Sequence, residues 1–314
     1  MSKISKNPEG ASHATTLQEA TGKISYNMLN DYMFRIVMQN NPEALKNIIA
    51  AVLHIPPARI LSLEVTNAII PGEAISNKEF RMDVNVCFND NTYVDIELQV
   101  LDQTDWTFRS LHYLCREYEE GLQRGDAYIV NHAAYQIGFL DYTLFPDHVK
   151  FFSAYEMCDI DDGYKFNSNF ALFVIDLSQI DMATDADKAT GLDKWCKLFK
   201  ADTWDELKKL AKEDKLMEMI AEEVFKSNSD YAVRKRCQDR EDYLRWKKWQ
   251  ETEFEKAQAT IAAQEKALAE QDKALSDKDK TISEQDKTIS KQAQALSDKD
   301  KEIERLKALL NEKS

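Results

Sequence analysis

The chain has 314 residues, 43% of them hydrophobic, which suffices for one large core or two ordinary ones and excludes global disorder. No apolar run approaches the roughly 18 residues that a membrane span needs, so no membrane partner is expected. The net charge of -14 excludes simple electrostatic attachment to nucleic acid or anionic lipid.

Four regions are expected. Residues 1–25 read as a polar, disordered leader with no apolar stretch and hence no secretory signal. Residues 26–190 alternate helical and strand-like patterns and read as an α/β core, a mixed sheet of about four to six strands with helices on both sides. Residues 191–250 read as an amphipathic helical extension, and 251–314 as a heptad repeat. Residues 26–190 hold 25 acids against 11 Lys and Arg, and residues 191–314 hold 28 against 27, so the core carries the net charge. The last Pro is Pro146 and the last Gly is Gly191, so the remaining stretch is expected to be helical almost throughout. Five scattered cysteines (87, 115, 158, 196, 237) form no CxxC pair, which fits a reducing cytoplasm and argues against a disulfide frame or cysteine-based zinc site.

The first helix carries Met33, Phe34, Ile36 and Val37. Asn30-Asp31 precedes it, and Asp31 is open to two readings, a helix cap or an acid of a catalytic site. Asn41-Pro42-Glu43 starts a second helix, with Pro at its first position and an apolar stripe of Leu45, Ile48, Ile49, Val52 and Leu53.

Residues 79–100, EFRMDVNVCFNDNTYVDIELQV, alternate with period two on both sides of Asn89-Asp90-Asn91. That predicts a hairpin with an apolar face (Val84, Val86, Phe88; Val94, Ile96, Leu98) and a polar face (Arg81, Asp83, Asn85; Asp95, Glu97, Gln99). A three-residue loop keeps like faces together, where a two- or four-residue loop would mix them, and it pairs Phe88 with Thr92 and Asp83 with Glu97. Directly opposite Cβ atoms stand about 5 Å apart, and facing carboxylates repel. A divalent cation between them removes that cost, so Asp83 and Glu97 form a candidate Mg²⁺ or Mn²⁺ site for phosphodiester cleavage. The competing reading is a solvated polar face in which Asp83 pairs with Lys78, Arg81 or Arg109.

Arg109, Tyr113 and Arg116 share a helical face at i, i+4, i+7; they either touch a phosphate or pair with the acidic sheet face. Trp106, Tyr118 and Leu122 read as core. Residues 170–177 read as a buried strand, with Asp176 as a cap or turn residue. Residues 234–248 hold seven basic residues against three acids, interleaved with Tyr243 and Trp246. Arg234, Lys235, Arg236 and Arg240 are therefore DNA-contact candidates, set against an ordinary solvated helix with internal ion pairs. In the tail one apolar residue recurs every seven positions, from Phe254 through Ile282 to Leu310. The second seam position is mostly acidic (Glu265, Asp272, Asp279, Asp286, Asp300), so a weak homo-oligomeric coiled coil through 254–310 competes with a lone helix held by charge pairs. The five His residues show no metal spacing, and no phosphate-loop, dinucleotide or nucleophile-elbow motif occurs.

The spacing D-x(13)-E-x-Q at Asp83, Glu97 and Gln99 resembles the PD-(D/E)xK nuclease superfamily, and more narrowly its PD-(D/E)xK nuclease family transposases, the Rpn-like recombination-promoting nucleases. Asn30 to Arg35, Lys78 to Asp83, Asp95 to Gln99, Arg109 with Tyr113, Gly125 to Tyr128, Ile137 to Phe145 and the segment around Trp195 match its motifs in order, over roughly residues 26–250. The resemblance implies Mg²⁺-dependent DNA cleavage, with Asp83 and Glu97 on the metal and Asp31 as a further ligand or water-orienting acid. Gln99 stands where the superfamily signature has Lys; it can orient by hydrogen bonding but brings no charge, unless Lys78 or Arg81 supplies it. The rival expectation is a catalytically inactive, nuclease-like interaction protein that oligomerises through its heptads.

Overall fold

Period-two alternation on the hairpin strands sorts their side chains onto two faces, and the rest of the chain is arranged around those faces. The structure, a computed structural model, describes residues 15–67, 84–89, 92–101, 105–120 and 133–311. In chain order the elements are α1 (Asp31–Asn40), α2 (Pro42–Val52), β1 (Leu63–Val65), β2 (Val84–Phe88), β3 (Thr92–Gln99), α3 (Trp106–Glu120), β4 (Ala133–Leu140), β5 (Phe152–Cys158) and β6 (Lys165–Asp176), then α4 (Asp185–Thr190), α5 (Leu192–Lys200), α6 (Trp204–Ala211), α7 (Lys215–Ser229) and α8 (Tyr231–Asn311).

Among the described residues the strands form one six-stranded sheet in the order β1-β2-β3-β4-β6-β5. β3, β4 and β6 run parallel, while β1–β2, β2–β3 and β5–β6 are antiparallel. The hairpin register matches the expectation over its described pairs, from Phe88↔Thr92 to Val84↔Ile96. Asn89 takes a left-handed φ of 52°, a conformation that Asn tolerates better than most residues. Asp83, Lys78 and Arg81 lie outside the described residues.

One face of the sheet is apolar. Val84, Val86, Val94, Ile96, Ile137, Phe139 and Ile175 bury against Phe34 and Val37 of α1, Ile48 and Ile49 of α2, and Phe199 of α5. Phe199 packs edge-on to both Phe34 and Phe139, each at 5.3 Å between ring centroids. The other face is covered by α3, whose Trp106 and Leu114 pack on Ala134, Leu140, Leu172 and Val174. Asp176 caps the 3-10 turn after β6 by accepting from the Ser178 amide.

Two expected boundaries move. Leu17, Ala20 and Ile24 are buried in the core, and Lys23 bridges to Thr203, so residues 15–25 are folded rather than a disordered leader. Three apolar residues at spacings of three and four are too short a pattern to stand out against polar neighbours. Nor does a unit end at 190: Trp195, Phe199, Trp204, Leu207, Ile220 and Val224 belong to the same core as the sheet. The division falls instead between Tyr243 and Leu244, within α8.

The second unit, from Leu244, is helical as the absence of breakers predicts. Residues 251–308 are exposed along their whole length, the seam residues included. Ion pairs at i,i+3, such as Lys256–Glu253, Lys280–Asp277 and Lys301–Asp298, run along the helix. No helix among the described residues is long and apolar enough to cross a membrane.

Candidate metal centre under helix α3

The polar face of the hairpin is not solvated. Asp95 and Glu97 are 1% and 5% exposed, because α3 lies over them. Burial of a carboxylate is costly unless it is paired and hydrogen-bonded, and the geometry around Glu97 shows how that cost is offset. Trp106 donates its indole N–H to Glu97 Oε2 at 3.0 Å. Arg109, one helical turn further on, places Nη2 at 2.5 Å from Glu97 Oε1. The same Nη2 lies 3.2 Å from Gln99 Oε1, while the Gln99 amide donates to the Leu101 carbonyl at 2.8 Å. Burial pushes the Glu97 carboxyl above the usual carboxylate range, and the Arg109 charge together with the two N–H donors pulls it part of the way back.

Gly138 makes this packing possible. It is the register partner of Glu97 on β4, and a Cβ built there would stand 2.3 Å from Trp106 Cζ2. Only a residue without a side chain lets the indole come this close to the strand while its N–H reaches the carboxylate. The polar layer continues across the sheet: Asn85 on β2 donates to Glu117 Oε1 of α3 at 2.8 Å, and Glu117 is itself buried. Asp95 lies between Asn85 and Gln136 in register, and Gln136 is fully buried with no hydrogen bond to its amide.

Other expected site residues lie elsewhere. Asp31 does not join Glu97: α1 packs on the apolar face, and Arg240 of α8 binds Asp31 Oδ2 through Nε at 2.7 Å and Nη2 at 2.6 Å. The helix cap is Asn30, whose Oδ1 accepts from the Met33 amide. Arg240 is accordingly a structural partner rather than a DNA contact, with its side chain 12% exposed. Arg234 is also engaged, donating to the Asn228 carbonyl at 2.6 Å at the end of α7. Lys235 is exposed and paired with Asp239 at 2.8 Å, and Arg236 lines a cavity beside Tyr32 and Asp230. The basic run thus reads as local pairing rather than an open phosphate track. Tyr113 sits on α3 with the Arg116 guanidinium over its ring at 5.5 Å.

Trp106 is core, as its sequence context predicts, and its N–H also serves the site; nothing in the sequence singles out Glu117 or Gly138. Trp106 was recoverable, since it lies three residues before Arg109 on one helical face and a buried indole N–H requires an acceptor.

The donor chemistry fits a hard divalent cation: Glu97 Oε1 and Gln99 Oε1 are oxygens, and both already face one cationic group, the Arg109 guanidinium. Among the described residues no three His, Cys, Asp or Glu side chains converge to complete a metal site; Asp83, the expected second carboxylate, lies outside them.

A mixed sheet with parallel central strands, helices on both faces, and an acid with a neighbouring amide on the inner strand of a hairpin is the α/β fold of PD-(D/E)XK nucleases. The family model for PD-(D/E)XK nuclease family transposases matches residues 28–253, and the chain belongs to that family. No curated protein and no solved structure matches the chain.

Proposed function

We propose that this protein is a Mg²⁺- or Mn²⁺-dependent DNA endonuclease of the recombination-promoting type. The observation that supports it best is the buried Glu97 carboxylate, whose Oε1 shares one cationic neighbour with Gln99 Oε1. A buried, partnered acid on a hairpin strand is an expensive arrangement, and such arrangements concentrate at functional sites. In this reading Asp83 and Glu97 hold the cation, with Gln99 beside it. When bound, the divalent ion supplies an activated water and neutralises charge on the phosphodiester. Trp106 fixes the Glu97 carboxylate through Oε2. Gln99 orients by hydrogen bonding, and Arg109 brings the positive charge that Gln99 lacks relative to the signature Lys. Lys78 and Arg81 are further sources of that charge, and Tyr113 is a phosphate-side or supporting residue on the same helix. The five free thiols suit a reducing, cytoplasmic setting.

A second reading is favoured by a different observation: seam residues such as Ile282 and Leu296 stand 54% and 62% exposed on the tail. They suit a homo-oligomer through 254–310, and in the rival form of the reading the folded unit is inactive and serves interaction alone.

Plasmid nicking in Mg²⁺ or Mn²⁺ separates the two. Asp83→Ala and Glu97→Ala should each lower cleavage by more than about 100-fold, since even outer-shell partners of a metal are worth 10–100-fold. Asp83→Ala should melt near wild type, whereas Glu97→Ala leaves Arg109 and the Trp106 N–H without their acceptor and should melt lower, so its loss of cleavage is read at a temperature where it remains folded. A wild-type protein that never nicks and gains no thermal stability from either cation would leave the interaction reading in place.

A further inference from the structure

We infer that Arg109 is the resident counter-ion of this site, and that its guanidinium and a divalent cation compete for the same two oxygens, Glu97 Oε1 and Gln99 Oε1. The inference rests on the metal-dependent reading above and adds a switch to it: loading the cation releases Arg109.

The two Glu97 oxygens differ in what holds them. Oε2 accepts from Trp106, a neutral donor that is 1% exposed and cannot retreat into the sheet, since its ring fills the space a Cβ at Gly138 would need. Oε1 accepts from Arg109, a charged donor on a long, flexible stem with its side chain 20% exposed. One oxygen is therefore pinned and the other exchangeable. Gln99 Oε1 belongs to the exchangeable side, because the same Nη2 reaches it.

Charge makes the two occupants exclusive. Without a cation, Glu97 and Arg109 neutralise each other in a site that excludes most water. A divalent ion bound to Glu97 would face a guanidinium at contact distance, and like charges that close repel strongly when partly buried. Arg109 has somewhere to go. Asp105, one turn earlier on the exposed rim, already lies 3.8 Å from Nη1. A guanidinium swung toward that rim is placed to meet a substrate phosphate, which it can bind bidentately. Arg109 thus both guards the acid before loading and supplies charge afterwards, whereas a simple supporting residue would serve Glu97 equally in both states.

The full-length protein tests this by Mn²⁺ titration calorimetry. Arg109→Met, similar in length and uncharged, should bind Mn²⁺ roughly tenfold or more tightly than wild type, in keeping with the coupling between close charge pairs, when both are titrated along a pH series up to where binding no longer rises, since losing the Arg109 charge also raises the Glu97 carboxyl and lets a proton compete below that point; its nicking activity falls. Trp106→Phe, which keeps the ring but loses the N–H, should weaken Mn²⁺ binding by about 10–100-fold. Equal or weaker Mn²⁺ binding by Arg109→Met overturns the inference while leaving the nuclease reading intact, provided wild-type binding depends on Glu97. If neither protein binds Mn²⁺, both fall together. Should Arg109→Met not fold, the ¹⁵N side-chain resonance of Arg109, assigned by its loss in Arg109→Lys, decides. It should shift as Mg²⁺ saturates the wild type, and a resonance that stays in place under saturation refutes displacement.

Discussion

The tail and the α3-covered face of the sheet invert the usual rule of burial in opposite senses. On the tail, aliphatic side chains stand in solvent, Ile282 at 54% exposure and Leu268 at 60%. Under α3, acids lie buried, Asp95 at 1% and Glu97 at 5%. The two inversions are not equally tolerable. Leaving one Leu or Ile exposed forgoes about 1.5–3 kcal/mol of burial, and a helix laced with i,i+3 ion pairs keeps its form without it. An unpartnered buried carboxylate costs several kcal/mol, so its partner must be built into the same folded unit. That is what the folded unit does, with Trp106 and Arg109 for Glu97, Asn85 for Glu117, and Arg240 for Asp31. The tail leaves its apolar seam in solvent, while the sheet face holds its charge within.

The strongest way to break this contrast is at Asp31. Asp31→Ala takes the carboxylate from the buried Arg240 guanidinium and should cost about 3–5 kcal/mol in urea denaturation. A loss under about 1 kcal/mol together with abolished nicking would return Asp31 to the catalytic site. Next comes the packing that carries the Glu97 bond. Gly138→Ala puts a Cβ 2.3 Å from Trp106 Cζ2, so the indole must shift off the strand. Overpacking of this kind costs about 1–3 kcal/mol and should alter near-ultraviolet dichroism from the tryptophans. An unchanged spectrum and stability would show that Trp106 is not fixed against β4, and the pinning of Glu97 Oε2 would fall with it.

What could be read in advance follows the range of each interaction. The hairpin register came from side-chain alternation alone, because a one-residue slip would have mixed faces, and Val84↔Ile96 through Phe88↔Thr92 agree with it. The long helix came from the absence of Pro and Gly. Asp31 with Arg240 is another matter: the pair joins residues 209 apart in sequence, and nothing local in either segment announces the other. The cover over the polar face was half legible. Their spacing puts Arg109 and Tyr113 on one helical face, yet alternation says only that Glu97 and Asp95 share a side and not whether water or a helix lies over them. Trp106 lies between the two cases: its burial and its place on the Arg109 face can be read from the sequence, and its N–H then needs an acceptor, but which acceptor it meets depends on how α3 lies over β3.

The smallest expected effect on folding tests the other side of the contrast. Ile282→Asn with Ile289→Asn, made in the full chain, removes two adjacent apolar steps of the seam. Sedimentation equilibrium should show wild type self-associating and the variant shifted toward monomer, while urea denaturation of the folded unit moves by less than about 0.5 kcal/mol, as for exposed positions generally. Thiol labelling gives an independent check, because all five cysteines lie at or before position 237. In both proteins the exposed Cys115 and Cys158 should react, and the buried Cys196 and Cys237 should not. Burial raises both buried thiols well above the ordinary range, so little thiolate is present to attack. Association lost with labelling unchanged would mean that the seam serves only a partner. Altered labelling of Cys196 or Cys237 would mean that the tail contributes to the folded unit, and the division at Leu244 would not describe how this protein holds together. A wild type that stays monomeric at every concentration would leave the charge pairs as the whole reason for the helix, and the exposed seam would need a partner other than a second copy.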